Sequence, residues 1–244
     1  MKAIVPETPV GVLLSPKAAI SGKKVDGFTE SADIIFLDTL HSAPDLHLRA
    51  VEILKDRLPG ISVVSGNVVH PHDAEALIEA GVDTVRVGMT SASINDGYYM
   101  TGCARSQAAA VYECSRICRK HSVPVLADGG IQNIGQLAIA FALGADTVMM
   151  GKMFAALMES AAPFDENDRN RKIYRGMSRV GLVDPDLLVE GRTESIEVSG
   201  TFDAVVSNWC SCLKVAISRC GAVSIADLQS KGEFEVFGHG SDCR

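Results

Sequence analysis

The sequence contains no apolar run of membrane-spanning length, no surplus of basic residues, no second cysteine pair to complete a zinc site, and no Gly-x-Gly-x-x-Gly after its first apolar segment. Each absence removes a class of function. Without some 20 consecutive apolar residues, a helical membrane span is not expected. Lysine and arginine number 23 against 30 aspartate and glutamate residues, a net charge of −7 with histidines neutral, so a nucleic-acid surface is not expected either. Small molecules or other proteins are the expected partners. The opening stretch "MKAIVPETPV" is too short and too broken by proline to read as a secretion signal, and the expected address is the cytosol. Seven cysteines, an odd number in such a chain, read as reduced thiols rather than a disulfide framework. Cys114 and Cys118 share a helical face, while Cys210-x-Cys212 lacks a matching pair, so no structural metal is expected.

What is present is length and a repeated pattern. At 244 residues and 47% hydrophobic, residues 1–244 suit one α/β domain of barrel size. Short apolar runs at 9–15, 32–38, 61–67, 84–89, 123–130 and 146–151 read as buried parallel strands. Helical patterns separate them: "LHLRAVEILKDRL", "DAEALIEAG", "SQAAAVYECSRICRKH" and "IGQLAIAFALG", two of them closed by glycine. The expected fold is a (β/α) barrel with ligand residues after the C-terminal strand ends. A doubly wound sheet is the alternative, and the missing glycine fingerprint counts against it. The barrel reading has six strands where eight are wanted. After Gly151 the repeat stops, residues 160–192 read as a polar excursion of the kind that carries function in barrels, and 201–244 read as a last helix and a tail.

Several residues offer chemistry. Thr90-Ser91-Ala92-Ser93 and the "DGGIQNIGQ" segment at 128–136 are small-residue loops after strands, either tight turns or cradles for phosphate or ribose. "MMGK" places a lysine after the next strand. Asp38 and Asp128 end predicted strands, where each either contacts a ligand or caps the following helix. His70 and His72 read as a solvated turn rather than a metal pair, His121 as a polar helix end. Cys103, read as near a helix start, is more simply a packing residue than a nucleophile.

Taken together, "FLDTLHS", "SGNVV", "GVDTVRVGM", "QAAAVYECS", "VPVLADGGIQNIGQLAIAFALGADTVMMGKMFA", "YRGMS", "VEGR" and "RCGAVSIADLQ" resemble the IMP dehydrogenase and GMP reductase enzymes over residues 9 to 237. Those are (β/α)8 barrels acting on purine nucleotides. The resemblance implies that Ser93 and Gly130, with Gly151 and Lys152, surround a nucleotide phosphate, and that Asp128 holds the ribose hydroxyls. It further implies that Tyr174, Gly176 and Met177 complete the nucleotide pocket, that Asp38 lies near a nicotinamide cofactor, NADP or NAD, and that Glu190 meets the purine base. The segment "VEGRTESIEVSG" is closer in spacing to the reductase branch, which takes GMP to IMP, than to the dehydrogenase branch.

The chain also departs from that family. Its loop normally reads Gly-x-Gly-Ser-x-Cys-x-Thr, with the cysteine attacking purine C2, whereas here Asn95 holds the cysteine position and Gly97 the threonine position. An amide is no substitute for a thiolate nucleophile. Thr90 and Ala92 replace two glycines of the loop whose carbonyls hold potassium in dehydrogenases, which argues against potassium dependence. The first two strands of the family barrel have no counterpart, so apolar strand edges are expected to need a cover, in a homo-oligomer or with a homologue. The expectation is thus a purine-nucleotide protein of the reductase type with its covalent step impaired. The alternatives are a non-catalytic regulatory subunit, an IMP dehydrogenase-like enzyme, or an enzyme using Asp96 or Cys103.

Overall fold

A computed structural model describes residues 9–22, 32–37, 44–89, 97–176 and 191–235. Six parallel strands pair in chain order to form a curled half-barrel: β1 (Gly11–Leu14), β2 (Ile34–Leu37), β3 (Ser62–Val68), β4 (Thr84–Val87), β5 (Val125–Asp128) and β6 (Thr147–Met149). Between them run α1 (Pro16–Ser21), α2 (Pro44–Arg57), α3 (Pro71–Glu79), α4 (Gly97–Thr101), α5 (Gln107–Lys120) and α6 (Ile134–Ala142), with the short α7 (Lys152–Ala155) after β6. The barrel expectation holds, and each predicted strand lies within two residues of its observed ends.

The strands form where β-branched residues cluster, and alternation decides what each face does. Val63, Val85, Val87, Val125 and Ala127 are buried together with Leu54, Leu77, Val111 and Cys114 of the covering helices. The intervening positions, Arg86 and Asp128 among them, therefore face the other side of the sheet. At the start of the strands a repeated device fixes register. Asp33, Asp83 and Asp146 each precede a strand by one residue and accept a backbone N–H at the start of the neighbouring strand, from Val10 just before β1 (2.8 Å), Val63 (2.7 Å) and Val125 (2.8 Å). Asn133 caps α6 by accepting from Gln136 N.

Two expectations are corrected beyond β6. Residues 160–192 hold a strand, β7 (Arg171–Arg175), which pairs antiparallel with β8 (Thr193–Glu197), Tyr174 opposite Glu194. Its polar sequence concealed it, because the most deeply buried of the residues described there is Lys172. After α8 (Phe202–Arg219), the stretch read as a tail contains α9 (Ile225–Lys231), capped by Ser224. No described helix is long and apolar enough to cross a membrane.

Candidate functional site

The C-terminal ends of β3, β4 and β5 converge on Asp128. Its Oδ2 accepts from Asn67 Nδ2 at 2.8 Å, Arg86 Nη2 at 2.8 Å and Arg86 Nε at 3.1 Å. A guanidinium fork and an amide thus hold one carboxylate oxygen. Gln107, at the start of α5, donates through Nε2 to the carbonyls of Val87 (2.9 Å) and Asp128 (3.2 Å), tying β4 to β5. The two strands come very close here: at Gly88, φ +153°, a Cβ would collide with the Asp128 carbonyl. Asp128 is therefore no helix cap, that role belonging to Asn133.

Directly after Asp128 the chain turns through Gly129 and Gly130, with φ of 81° and 76°, and Gly129 N donates to Met149 O at 3.2 Å. This turn ties β5 to the end of β6, from which Gly151 and Lys152 follow. A Cβ on Gly151 would collide with the Tyr174 hydroxyl, so β7 lies directly against this turn. Lys152 Nζ pairs with Glu194 at 2.8 and 2.9 Å. Gly176 follows β7 and donates its N–H to Arg192 O at 3.0 Å. Burial, followed by the negative charges of Asp128 and Glu194, holds the Tyr174 phenol above its ordinary range, so at neutral pH it remains a neutral donor.

Asp128, Gly130, Gly151, Lys152, Tyr174 and Gly176 thus stand at neighbouring strand ends. Asp38, Thr90, Ala92, Ser93, Asn95, Asp96, Met177 and Glu190 lie outside the described residues. Gly97 opens α4. Both histidines of the expected solvated turn are exposed: His70 precedes α3 and meets Arg105, while His72 lies in its first turn and meets Asp73. Among the described residues no histidine, cysteine and carboxylate cluster is arranged for a metal ion. Cys103 lies between α4 and α5, shortly before the start of α5, and it is exposed, which corrects the expectation of a packing residue. Cys114 and Cys118 are buried on one face of α5, their thiols pushed up to about 12 and about 11, chiefly by burial.

Asn67, Arg86 and Gln107 were not singled out from the sequence. One signal was available: "TVRVGM" carries a single charge inside a buried strand, and a buried guanidinium requires an acid nearby.

The sequence pattern of the IMP dehydrogenase / GMP reductase domain matches residues 15–241. The GMP reductase of Leishmania donovani is 32% identical over 240 residues, covering 89% of this chain and 49% of that protein. Inosine-5'-monophosphate dehydrogenase 2 of Arabidopsis thaliana is 43% identical over 147 residues, 60% of this chain and 29% of that protein. The structure of Trypanosoma brucei GMP reductase in complex with guanosine 5'-monophosphate superposes with a TM-score of 0.84 at 30% identity, over 91% of this chain and 48% of that one. The chain spans about half the length of the GMP reductases it matches. It belongs to the IMP dehydrogenase / GMP reductase family.

Proposed function

We propose that the chain binds a purine nucleoside monophosphate, GMP or IMP, at the ends of β4, β5 and β6, and that its covalent chemistry is impaired. The observation that carries this reading is the convergence of Asp128, fixed by Arg86 and Asn67, with the Gly151–Tyr174 contact at neighbouring strand ends. In this reading Asp128 accepts from the ribose hydroxyls. The N–H groups of Gly130 and Gly151, the Lys152 ammonium, the Tyr174 hydroxyl and Ser93 surround the phosphate, and Gly176, Met177 and Glu190 enclose the rest of the nucleotide.

A nicotinamide cofactor, NADP or NAD, would supply or accept hydride at purine C2, with Asp38 beside it. The buried Asn67 Oδ1 has no hydrogen-bond partner among the described residues and suits a ligand donor such as a carboxamide or a hydroxyl. Thr90 and Ala92 speak against a potassium cage in the following loop. Asn95 and Gly97 stand where the family's cysteine and threonine do, so the C2 carbon gains no thiolate bond, a loss of about 10⁴-fold or more in rate.

The double variant Asn95→Cys, Gly97→Thr tests this, assayed for NADPH oxidation with GMP and NAD⁺ reduction with IMP. A rise of about 100-fold or more in one direction is expected. Unchanged rates in both directions would place the defect elsewhere. A second reading, a non-catalytic subunit pairing with a homologue, draws on Leu13, 56% exposed on the edge strand β1. A chain that stays monomeric in solution, alone and mixed with such a homologue, would end that reading.

A further inference from the structure

Lys172 lies in the middle of β7 with 1% of its surface exposed, and none of its hydrogen-bond partners among the described residues is a carboxylate. Its Nζ donates to the carbonyl oxygens of Leu157 at 2.7 Å, Met158 at 2.8 Å and Ser160 at 3.0 Å, and lies 3.1 Å from Ser160 Oγ. That hydroxyl donates its own proton to Ala155 O at 2.7 Å, which leaves its lone pairs to the ammonium. The Phe164 ring covers a further side, its centroid 4.9 Å from Nζ. A neutral amine has only two N–H donors and cannot serve three carbonyls at once. Four uncharged oxygens and a ring face around one positive charge is the coordination of a bound monovalent cation, not of an ion pair.

We propose that this cage is a monovalent-cation site whose resident is the protein's own Lys172 ammonium, and that it takes a free cation of the ammonium or potassium class when the tethered one is removed. The ligands come from the turn between α7 and β7, so the charge closes that turn on the strand. Lys172 and Tyr174 share a face of β7, two residues apart, and Tyr174 reaches Gly151 at the start of α7. The caged cation is thereby a positioning device for the Gly151–Tyr174 contact. Its bearing on ligand binding rests on the function proposed above; the cage itself does not. None of its ligands belongs to the 90–97 loop.

The test uses the full chain without nucleotide, so it is independent of whether the chain binds one. Lys172→Ala is melted in chlorides of potassium, ammonium, methylammonium, lithium and tetramethylammonium at one ionic strength. The variant is expected to lose about 10 °C in tetramethylammonium and to regain at least about half of it in potassium, ammonium or methylammonium, with the parent chain indifferent. Equal melting in all five salts, or no loss in the variant, would overturn the proposal. If the variant folds in none of them, the parent chain decides: its Lys172 Nζ should give a slowly exchanging ammonium signal in ¹⁵N-resolved spectra at neutral pH. An amine signal, or exchange as fast as that of exposed lysines, would count against the caged cation.

Discussion

Arg86 and Asp128 stand on adjacent strands with Nη2 and Oδ2 2.8 Å apart, and both side chains are largely shielded from water, at 11% and 20% exposure. Breaking such a pair from one side leaves a desolvated charge. Arg86→Met is expected to cost about 3 kcal/mol in urea unfolding. Adding Asp128→Asn to it should restore part of that loss, and Arg86→Lys should fall between, because a lysine keeps the charge without the fork. Additive single and double variants would show that the pair is not coupled.

The opposite ends of the strands should behave differently. Asp146 holds the N–H of Val125 at 2.8 Å, far along the sheet from Asp128. Asp146→Ala should destabilise by about 2 kcal/mol, the cost of a hydrogen bond to a charged group, with nucleotide affinity unchanged. A selective loss of affinity would mean that the two ends of the sheet are coupled.

Gly151 has φ −87°, a conformation open to any residue, so the conflict that Gly151→Ala meets is with the Tyr174 phenol. The substitution should cost about 1–3 kcal/mol through overpacking and weaken nucleotide binding. In a Tyr174→Ala background the same change should be nearly free. A double-mutant cycle with no coupling would rule out the contact.

Cys114 and Cys118 ionise in the folded chain at about 12 and about 11, above the ordinary 9.0. Below pH 9 both thiols are protonated in either state and their contribution is complete. As pH rises the unfolded chain releases the protons first, so stability falls by about 1.4 kcal/mol per pH unit for each thiol until the folded values are passed. Cys118→Ala should flatten that slope between pH 9 and 11. At pH 8, Cys103, Cys210, Cys212 and Cys220 should take up a thiol reagent while Cys114 and Cys118 do so only on unfolding. Labelling of Cys114 in the native protein would contradict this burial.

The strands were legible because a parallel sheet covered by helices demands near-continuous apolar runs, and "GVLL" and "IIFL" supply them. The β7–β8 pair was not, since its sequences "RKIYR" and "TESIE" carry one apolar aliphatic residue each and bury a lysine held by carbonyls, which no periodicity reports. In the candidate site, Asp128, Gly151 and Tyr174 were readable through resemblance, whereas their mutual placement was not. The setting of Asp128 depends on Arg86, Asn67 and Gln107, which come from three separate elements and meet only in the folded sheet.

The most direct test of the nucleotide account is calorimetric titration of the purified chain, and of Asp128→Ala, with GMP and with IMP. The account predicts saturable binding of at least one nucleotide to the parent chain and its loss in the variant. A folded parent chain that gives no heat with either, or a variant that binds as tightly as the parent, would contradict it.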